Sequence, residues 1–434
     1  MNALPAWLYT AEQVRELDRR AIEDAGIDGY DLMRRAGAAA FNCLRRGWPD
    51  ARRLVVLAGR GNNGGDGYVI ARHALEVGWP ATVLRLGDHD GLRGAALAAA
   101  RDYEQAGGEC RDFDGSPPEA DLYVDAMLGT GLDRPLKGAI REAVDVLNGL
   151  DAPVFAVDVP TGLNADTGAV MGTAVRAGGT ASFIGLKLGL FTGEAPSLCG
   201  PVYYDGLGVP GSVFDGMEPA AERITDDFLA RMLPPRRRTA HKGHFGHVLV
   251  AGGDAGMGGA VRLAGEAALR AGSGLVSVAT RAEHVAALIA GRPELMARGV
   301  TAPGELAPLL DRATAIALGP GLGTGDWGRA LWETVMEARL PLVLDADGLN
   351  LLARARRERA DWVLTPHPGE AARLLETDTA AVQADRPAAA RQLAENYHAV
   401  VVLKGAGTLV AAPDGRMRLC DRGNPGMASG GMGD

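Results

Sequence analysis

The sequence predicts an α/β protein built from two doubly wound domains, and three observations carry that prediction. Short apolar runs of strand length alternate with stretches of helical period, the pattern left by parallel strands buried on both faces. Glycine supplies 61 of the 434 residues, about twice its usual share, and it clusters where apolar runs end, as strand-to-helix turns require. The length suits two or three domains at roughly 150 residues each, and the periodicity breaks once, after about residue 205.

The elements follow in order. Thr10 with Gln13 makes a capping box, and Val14, Leu17 and Ala21 recur at helical spacing behind it. A second helix spans 32–44. Strands are expected at LVVLAG (54–59), ATVLRL (81–86), LYVDAML (122–128), VFAVDVP (154–160) and TASFIG (180–185), with a helix over 68–77 after the first of them. The stretch beyond 205 is rich in Pro, Gly and charge, so a first domain over 1–215 and a second over 222–434 are expected. The second series runs GHVLVAGG (246–253), the helix GGAVRLAGEAALRAG, LVSVAT (275–280), TAIALG (314–319), LVLDAD (342–347), WVLTP (362–366) and AVVVLKG (399–405). No aligned repeat relates the halves.

Composition excludes several functions. Lys plus Arg number 45 against 54 Asp plus Glu, a formal charge of -9, so the positive field that nucleic-acid binding uses is missing. Cys43, Cys110, Cys199 and Cys420 lie far apart, without the paired spacing of a zinc site or the density of a disulfide scaffold. A reducing cytoplasm is expected. Neither a signal-peptide apolar stretch nor a membrane-length apolar run is visible. Only 4 of the basic residues are lysines, which makes each a clue, because Arg replaces Lys well on a surface and poorly where a compact ammonium is needed.

The densest motif is GRGNNGGDG (59–67), directly after a strand. Gly59, Gly61 and Gly64 fit a phosphate-holding turn, and Asn62, Asn63 and Asp66 add oxygens that such a turn does not need. Asp125 and Asp158 stand at the carboxyl ends of later strands, where open parallel sheets bind ligands. With Asn63 and Thr161 they offer hard oxygen ligands for a cation and an acid or base. Lys137 and Lys187 are read as loop residues on the same side, suited equally to phosphate contact and to packing. In the second half, GGDAGMGGA and GPGLG are glycine turns after strands, and LTPHPGE puts His367 and Glu370 at the mouth of a helix. KGAGT places Lys404 at a strand end with Thr408 following, and NPGMASGGMGD ends in exposed amides beside Asp434, an anion hole and a base. Arg236 to Arg238 reads as a solvated linker.

These motifs, in this order, resemble the bacterial bifunctional NAD(P)H-hydrate repair enzymes, in which an epimerase domain precedes an ADP-dependent (S)-NAD(P)H-hydrate dehydratase domain. NNGGDG, VDAMLGTGLDRP and DVPTGLNADTG carry the first half; HKGHFGHVLVAGG, GEAALRAGSGLV, DADGLN, TPHPGE, KGAGT and NPGMASGGMGD carry the second. The resemblance implies a Rossmann-like three-layer sandwich followed by a ribokinase-like domain. It implies K+ on Asn63, Asp125 and Thr161. It places the hydrate against Asn62, Asn63, Gly64, Gly65 and Asp66, the loop of Gly129, Thr130, Gly131, Leu132, Asp133, Arg134 and Pro135, and Asp158 as acid/base. In the second domain it implies hydrate near Ala260, Gly321, His367 and Asp434, and ADP with Mg2+ on Lys404, Gly405, Ala406, Gly407, Thr408 and Gly433, with Asp434 as the base. NADHX, NADPHX and ADP are the expected small-molecule partners, and a homo-oligomer is the expected assembly. Members of the family continue past Asp434 into a helix, so impaired dehydration is expected of the 434-residue chain. Two other readings stay open on motifs alone: a ribokinase-like small-molecule kinase, which would phosphorylate its substrate, and a first domain that only binds a protein partner.

Overall fold

Alternation of side chains along each strand decides how the first half packs. Along Leu54–Ala58, residues Leu54, Val56 and Ala58 join one apolar layer while Val55 and Leu57 join the other; Leu122 and Val124 oppose Tyr123 in the same way. A sheet with two apolar faces needs helices on both, and that is the architecture found. In the computed structural model, which describes residues 4–433, the chain folds as two compact units, Met1–Arg223 and Ile224–Asp434. Asp434 itself lies outside the described residues.

The first unit holds a 7-stranded, all-parallel sheet in the order Glu109–Asp112, Ala81–Arg85, Leu54–Ala58, Leu122–Ala126, Val154–Val157, Gly179–Phe183, Val202–Asp205. The two edge strands have no counterpart among the strands expected from sequence. Edge strands face solvent with polar side chains, and ECRD carries no apolar run that would announce it. Further short strands are equally unannounced: Trp7–Tyr9 pairs in parallel with Leu186–Lys187 and antiparallel with Ala221–Arg223. Residues 222 and 223 therefore belong with the first unit. The first helix, Ala11–Glu23, has the expected cap, both arms of the box on Thr10 and Gln13 being formed.

One boundary differs from expectation and changes the meaning of the glycine motif. The helix expected over 68–77 begins at Asn62 and runs to Glu76. Gly59, Gly61, Gly64, Gly65 and Gly67 all keep negative φ, so they do not serve a left-handed turn. Gly59, Gly64, Gly65 and Gly67 serve close approach, whereas a Cβ on Gly61 would meet open space. A Cβ on Gly64 would lie 2.0 Å from the Gly59 carbonyl oxygen, and one on Gly65 would lie 2.5 Å from Met33 Sδ.

The second unit orders its parallel strands Met296–Gly299, Leu275–Thr280, His247–Ala251, Ala315–Leu318, Leu342–Leu344, Trp362–Leu364 and Val400–Leu403. An antiparallel hairpin, Thr408–Ala411 and Met417–Cys420, extends the sheet beyond Val400–Leu403. KGAGT is thus the turn between antiparallel strands, and Gly405 (φ 140) and Gly407 (φ 62) supply its left-handed residues. Arg236 to Arg238 are exposed, as a solvated linker requires, and Arg236 lays its guanidinium over the Phe245 ring at 3.6 Å and donates to the Gly272 carbonyl.

Candidate active sites

In the first unit a cavity of about 420 Å³ opens at the carboxyl ends of the central strands. Of the residues expected there, Asn62, Asn63, Asp66, Gly129, Thr130, Gly131 and Asp158 line it. Gly64 and Gly65 sit behind the wall as packing residues, and Leu132 to Pro135 lie outside the lining, the side chains of Asp133 and Arg134 being 86% and 87% exposed. Three charged residues of the lining are not among the site residues expected from sequence: Arg15, Asp18 and Lys187.

Asp158 follows the strand Val154–Val157 directly and holds φ at 69, a left-handed conformation that costs a non-glycine residue about 1–3 kcal/mol. Its amide donates to the Ala181 carbonyl, which pins that geometry. Its carboxylate forms an ion pair with the Lys187 ammonium. Lys187 lies in a short strand rather than a loop and is 1% exposed, and it donates further to Ser182 Oγ at 3.1 Å. A buried ammonium needs such partners. Gly129 closes over the pair: a Cβ there would come within 2.9 Å of Asp158 Oδ2 and 3.6 Å of Asn63 Cγ. That contact also brings the Asn63 side chain to the Asp158 side of the cavity.

Two more carboxyls face the pair. Burial raises Asp18 to about 6, helped by the charge of Asp158 and opposed by Lys187. Burial likewise raises Asp66 well above the carboxylate range, with Asp158 and Asp18 adding to the effect. Asp18 sits on the inward stripe of its helix, one turn after Val14 and before Ala21. A lone acid on an apolar stripe is the sequence signal that marks it.

Asp125 is the next-to-last residue of its strand and fully buried. It accepts from Thr161 N and Thr161 Oγ1, both at 2.7 Å, and from Met127 N at 3.2 Å, while burial still lifts it to about 6. Asn63 is buried with both amide atoms lacking a hydrogen-bond partner among the described residues. Such a group costs free energy unless something polar completes it. Asp125→Ala strips acceptors from three donors at once and should lower unfolding stability by about 3 kcal/mol. Urea denaturation checks this, and a loss below about 1 kcal/mol would contradict it.

In the second unit the expected residues fall into two neighbourhoods. Lys404 pairs with Asp345 at 2.7 Å, and a Cβ on Gly433 would lie 3.0 Å from Lys404 Nζ, so two expected nucleotide contacts meet. Gly405 is exposed, as is Ala406, while Thr408 Oγ1 bonds back to the Gly405 carbonyl at 2.9 Å. Beneath the turn lies Arg386, 1% exposed, donating to the carbonyls of Leu403 and Lys404. His367 caps the helix Pro368–Leu374 in a reciprocal box with Glu370, whose buried carboxyl is raised above its ordinary value and feels the charges of Lys404 and His367. The second neighbourhood holds Gly321 (φ 58) and Ala260, a Cβ on the former falling 3.2 Å from that of the latter.

Comparison with known proteins agrees with both halves. Residues 29–189 match the family described as YjeF-related protein N-terminus, and residues 248–434 match the family described as NAD(P)H-hydrate dehydratase. The bifunctional NAD(P)H-hydrate repair enzyme Nnr of Coxiella burnetii is 48% identical over 98% of this chain and 88% of its own length. That of Escherichia coli is 45% identical over 100% of this chain and 84% of its own. A solved ADP/ATP-dependent NAD(P)H-hydrate dehydratase from Bacillus subtilis is 31% identical, covering 48% of this chain and 76% of its own, with a TM-score of 0.43. The chain belongs to the bifunctional NAD(P)H-hydrate repair enzymes, which join an epimerase half to a dehydratase half.

Proposed function

We propose that the cavity of the first unit epimerises the hydrated nicotinamide ring of NADHX and NADPHX at carbon 6, with Asp158 as an acid/base. The observation that carries this is the strained, ion-paired carboxylate of Asp158 facing an otherwise accessible cavity. Carbon 6 of the hydrate carries both a hydroxyl and the ring nitrogen. Asp158 takes the hydroxyl proton, and Lys187 holds the carboxylate in place and offsets the charge that builds beside it. Asn62, Thr130 and Gly131 supply polar contacts along the wall that orient the substrate.

The donor set fits K+. The orphaned Asn63 amide, the Asp125 carboxylate and the Thr161 hydroxyl are hard oxygen groups, and the unsatisfied Asn63 oxygen is what a cation would complete. A bound cation supplies positive field to the cavity. Epimerisation of R-hydrate should therefore run faster in potassium than in choline salts at equal ionic strength, and Asn63→Ala should remove the difference. Equal rates in the two salts would contradict the cation assignment.

In the second unit, ADP with its Mg2+ would meet Lys404, the turn Gly405 to Thr408 and Gly433, and Asp345 positions the Lys404 ammonium. Activation of the hydrate's hydroxyl by a nucleotide phosphate turns a poor leaving group into a good one, and Asp434 is the proposed base. The hydrate contacts assigned to Ala260, Gly321 and His367 belong to the same proposal. We place the enzyme in the cytoplasm: all four cysteines are free, and no helix among the described residues is long and apolar enough to cross a membrane.

A further inference from the structure

We infer that Asp18 is the second acid/base of the epimerase cavity, carrying the hydroxyl proton on the face of the substrate ring turned away from Asp158. The inference rests on the epimerase reading above. Asp18 comes from the helix Ala11–Glu23, outside the part of the chain matched by the N-terminal family and outside every motif read from the sequence.

Epimerisation sets the requirement. An oxygen bonded on one face of carbon 6 must end on the other, so proton carriers are needed on two sides. The step balances in atoms and electrons. Asp158 takes the hydroxyl proton, the carbon–oxygen bond becomes a double bond, and the bond from carbon 6 to the ring nitrogen breaks with its electron pair passing to nitrogen. The open aldehyde turns its other face, nitrogen re-attacks, and the oxygen takes a proton from the second carboxyl. The two carboxyls then exchange protons with water through the open cavity. No oxidant, reductant or co-reactant is consumed.

Asp18 meets the requirement on geometry. The ionisable residues lining the cavity are Arg15, Asp18, Asp66, Asp158 and Lys187. Lys187 is committed to Asp158, and Arg15 donates to the Thr130 carbonyl at 3.2 Å. Asp66 sits on the helix Asn62–Glu76, whose Asn63 lies on the Asp158 side of the cavity, and burial raises its carboxyl well above the ordinary carboxylate range. Among the carboxyls, Asp18 is the one carried by the helix Ala11–Glu23, apart from the elements that bring Asp158 and Asp66. It is most of the way buried, and no hydrogen bond from the described residues holds it in one charge state, so its affinity for a proton lies near the working range.

Asp18→Asn, assayed in the full chain with R-hydrate and read by separating the epimers, tests this. The pair of carboxyls must share one proton, so kcat/KM of the wild type should fall as pH rises above about 6, where Asp18 loses its proton. Asp18→Asn should lower kcat about 100-fold or more, leave KM little changed and abolish that limb of the profile. Asp18→Glu should restore both the rate and the limb. Retention of the wild-type rate by Asp18→Asn would overturn the inference. So would a uniform loss at every pH that Asp18→Glu does not repair, which marks a structural role. If the wild type itself leaves R-hydrate unchanged, the epimerase reading fails rather than the assignment of Asp18 within it.

Discussion

Asp158→Asn is expected to reduce epimerisation by at least about 1,000-fold, combining the loss of an acid/base, worth about 100 to 10,000-fold, with the loss of the anion that faces Lys187. The substitution also reaches the fold. Lys187 is 1% exposed, and Asn leaves its ammonium without a counter-charge while Ser182 Oγ and the Phe183 carbonyl remain as acceptors. Removing one partner of a buried pair costs about 3–5 kcal/mol; the 17% exposure of Asp158 and the amide oxygen of Asn place the expected loss at about 3 kcal/mol or less. Thermal melting and the epimer assay on one preparation separate the two effects. Wild-type epimerisation by a folded Asp158→Asn enzyme would remove Asp158 from the chemistry.

Gly59→Ala is expected to be strongly damaging to the first unit. The added Cβ would stand 1.9 Å from the Met127 carbonyl oxygen and 2.9 Å from its carbon, so backbone must yield, not a side-chain tip. That backbone is fixed on both sides: Gly59 N donates to the Ala126 carbonyl at 3.0 Å, and Leu54–Ala58 and Leu122–Ala126 pair residue for residue. Overpacking costs about 1–3 kcal/mol and occasionally more, and an immovable partner places this case at about 3 kcal/mol or above. The shift would also displace Met127 and Leu128 beside Asp125, so epimerisation should fall with stability. Denaturation showing a change under about 1 kcal/mol would contradict the packing account.

The uneven legibility of the sequence has physical causes. Central strands are legible because burial on both faces demands uninterrupted apolar runs, as in LVVLA and VFAV. Edge strands such as ECRD make no such demand and leave no trace. Asp125 and Asp158 can be found because a parallel sheet exposes its carboxyl ends to ligands, and an acid there is conspicuous. The glycines of GRGNNGGDG are visible but ambiguous, since composition does not tell a left-handed turn from a helix packed too close for a Cβ; only the neighbours at Met33 and Gly59 decide it. Lys187 stands out by the scarcity of lysine, yet its partner lies 29 positions away and pairing over that span is set by tertiary structure. Asp18 belongs to no motif, and its register with Val14 and Ala21 acquires meaning once the stripe is known to face a cavity.

The central claim is tested most directly by incubating the chain with pure R-hydrate, with and without ADP, and separating R-hydrate, S-hydrate and NADH by chromatography. The epimers should equilibrate without ADP, because the first unit needs no nucleotide, and any NADH formed by the second unit should require ADP. R-hydrate left unchanged by folded protein would contradict the epimerase site built on Asp158 and Lys187.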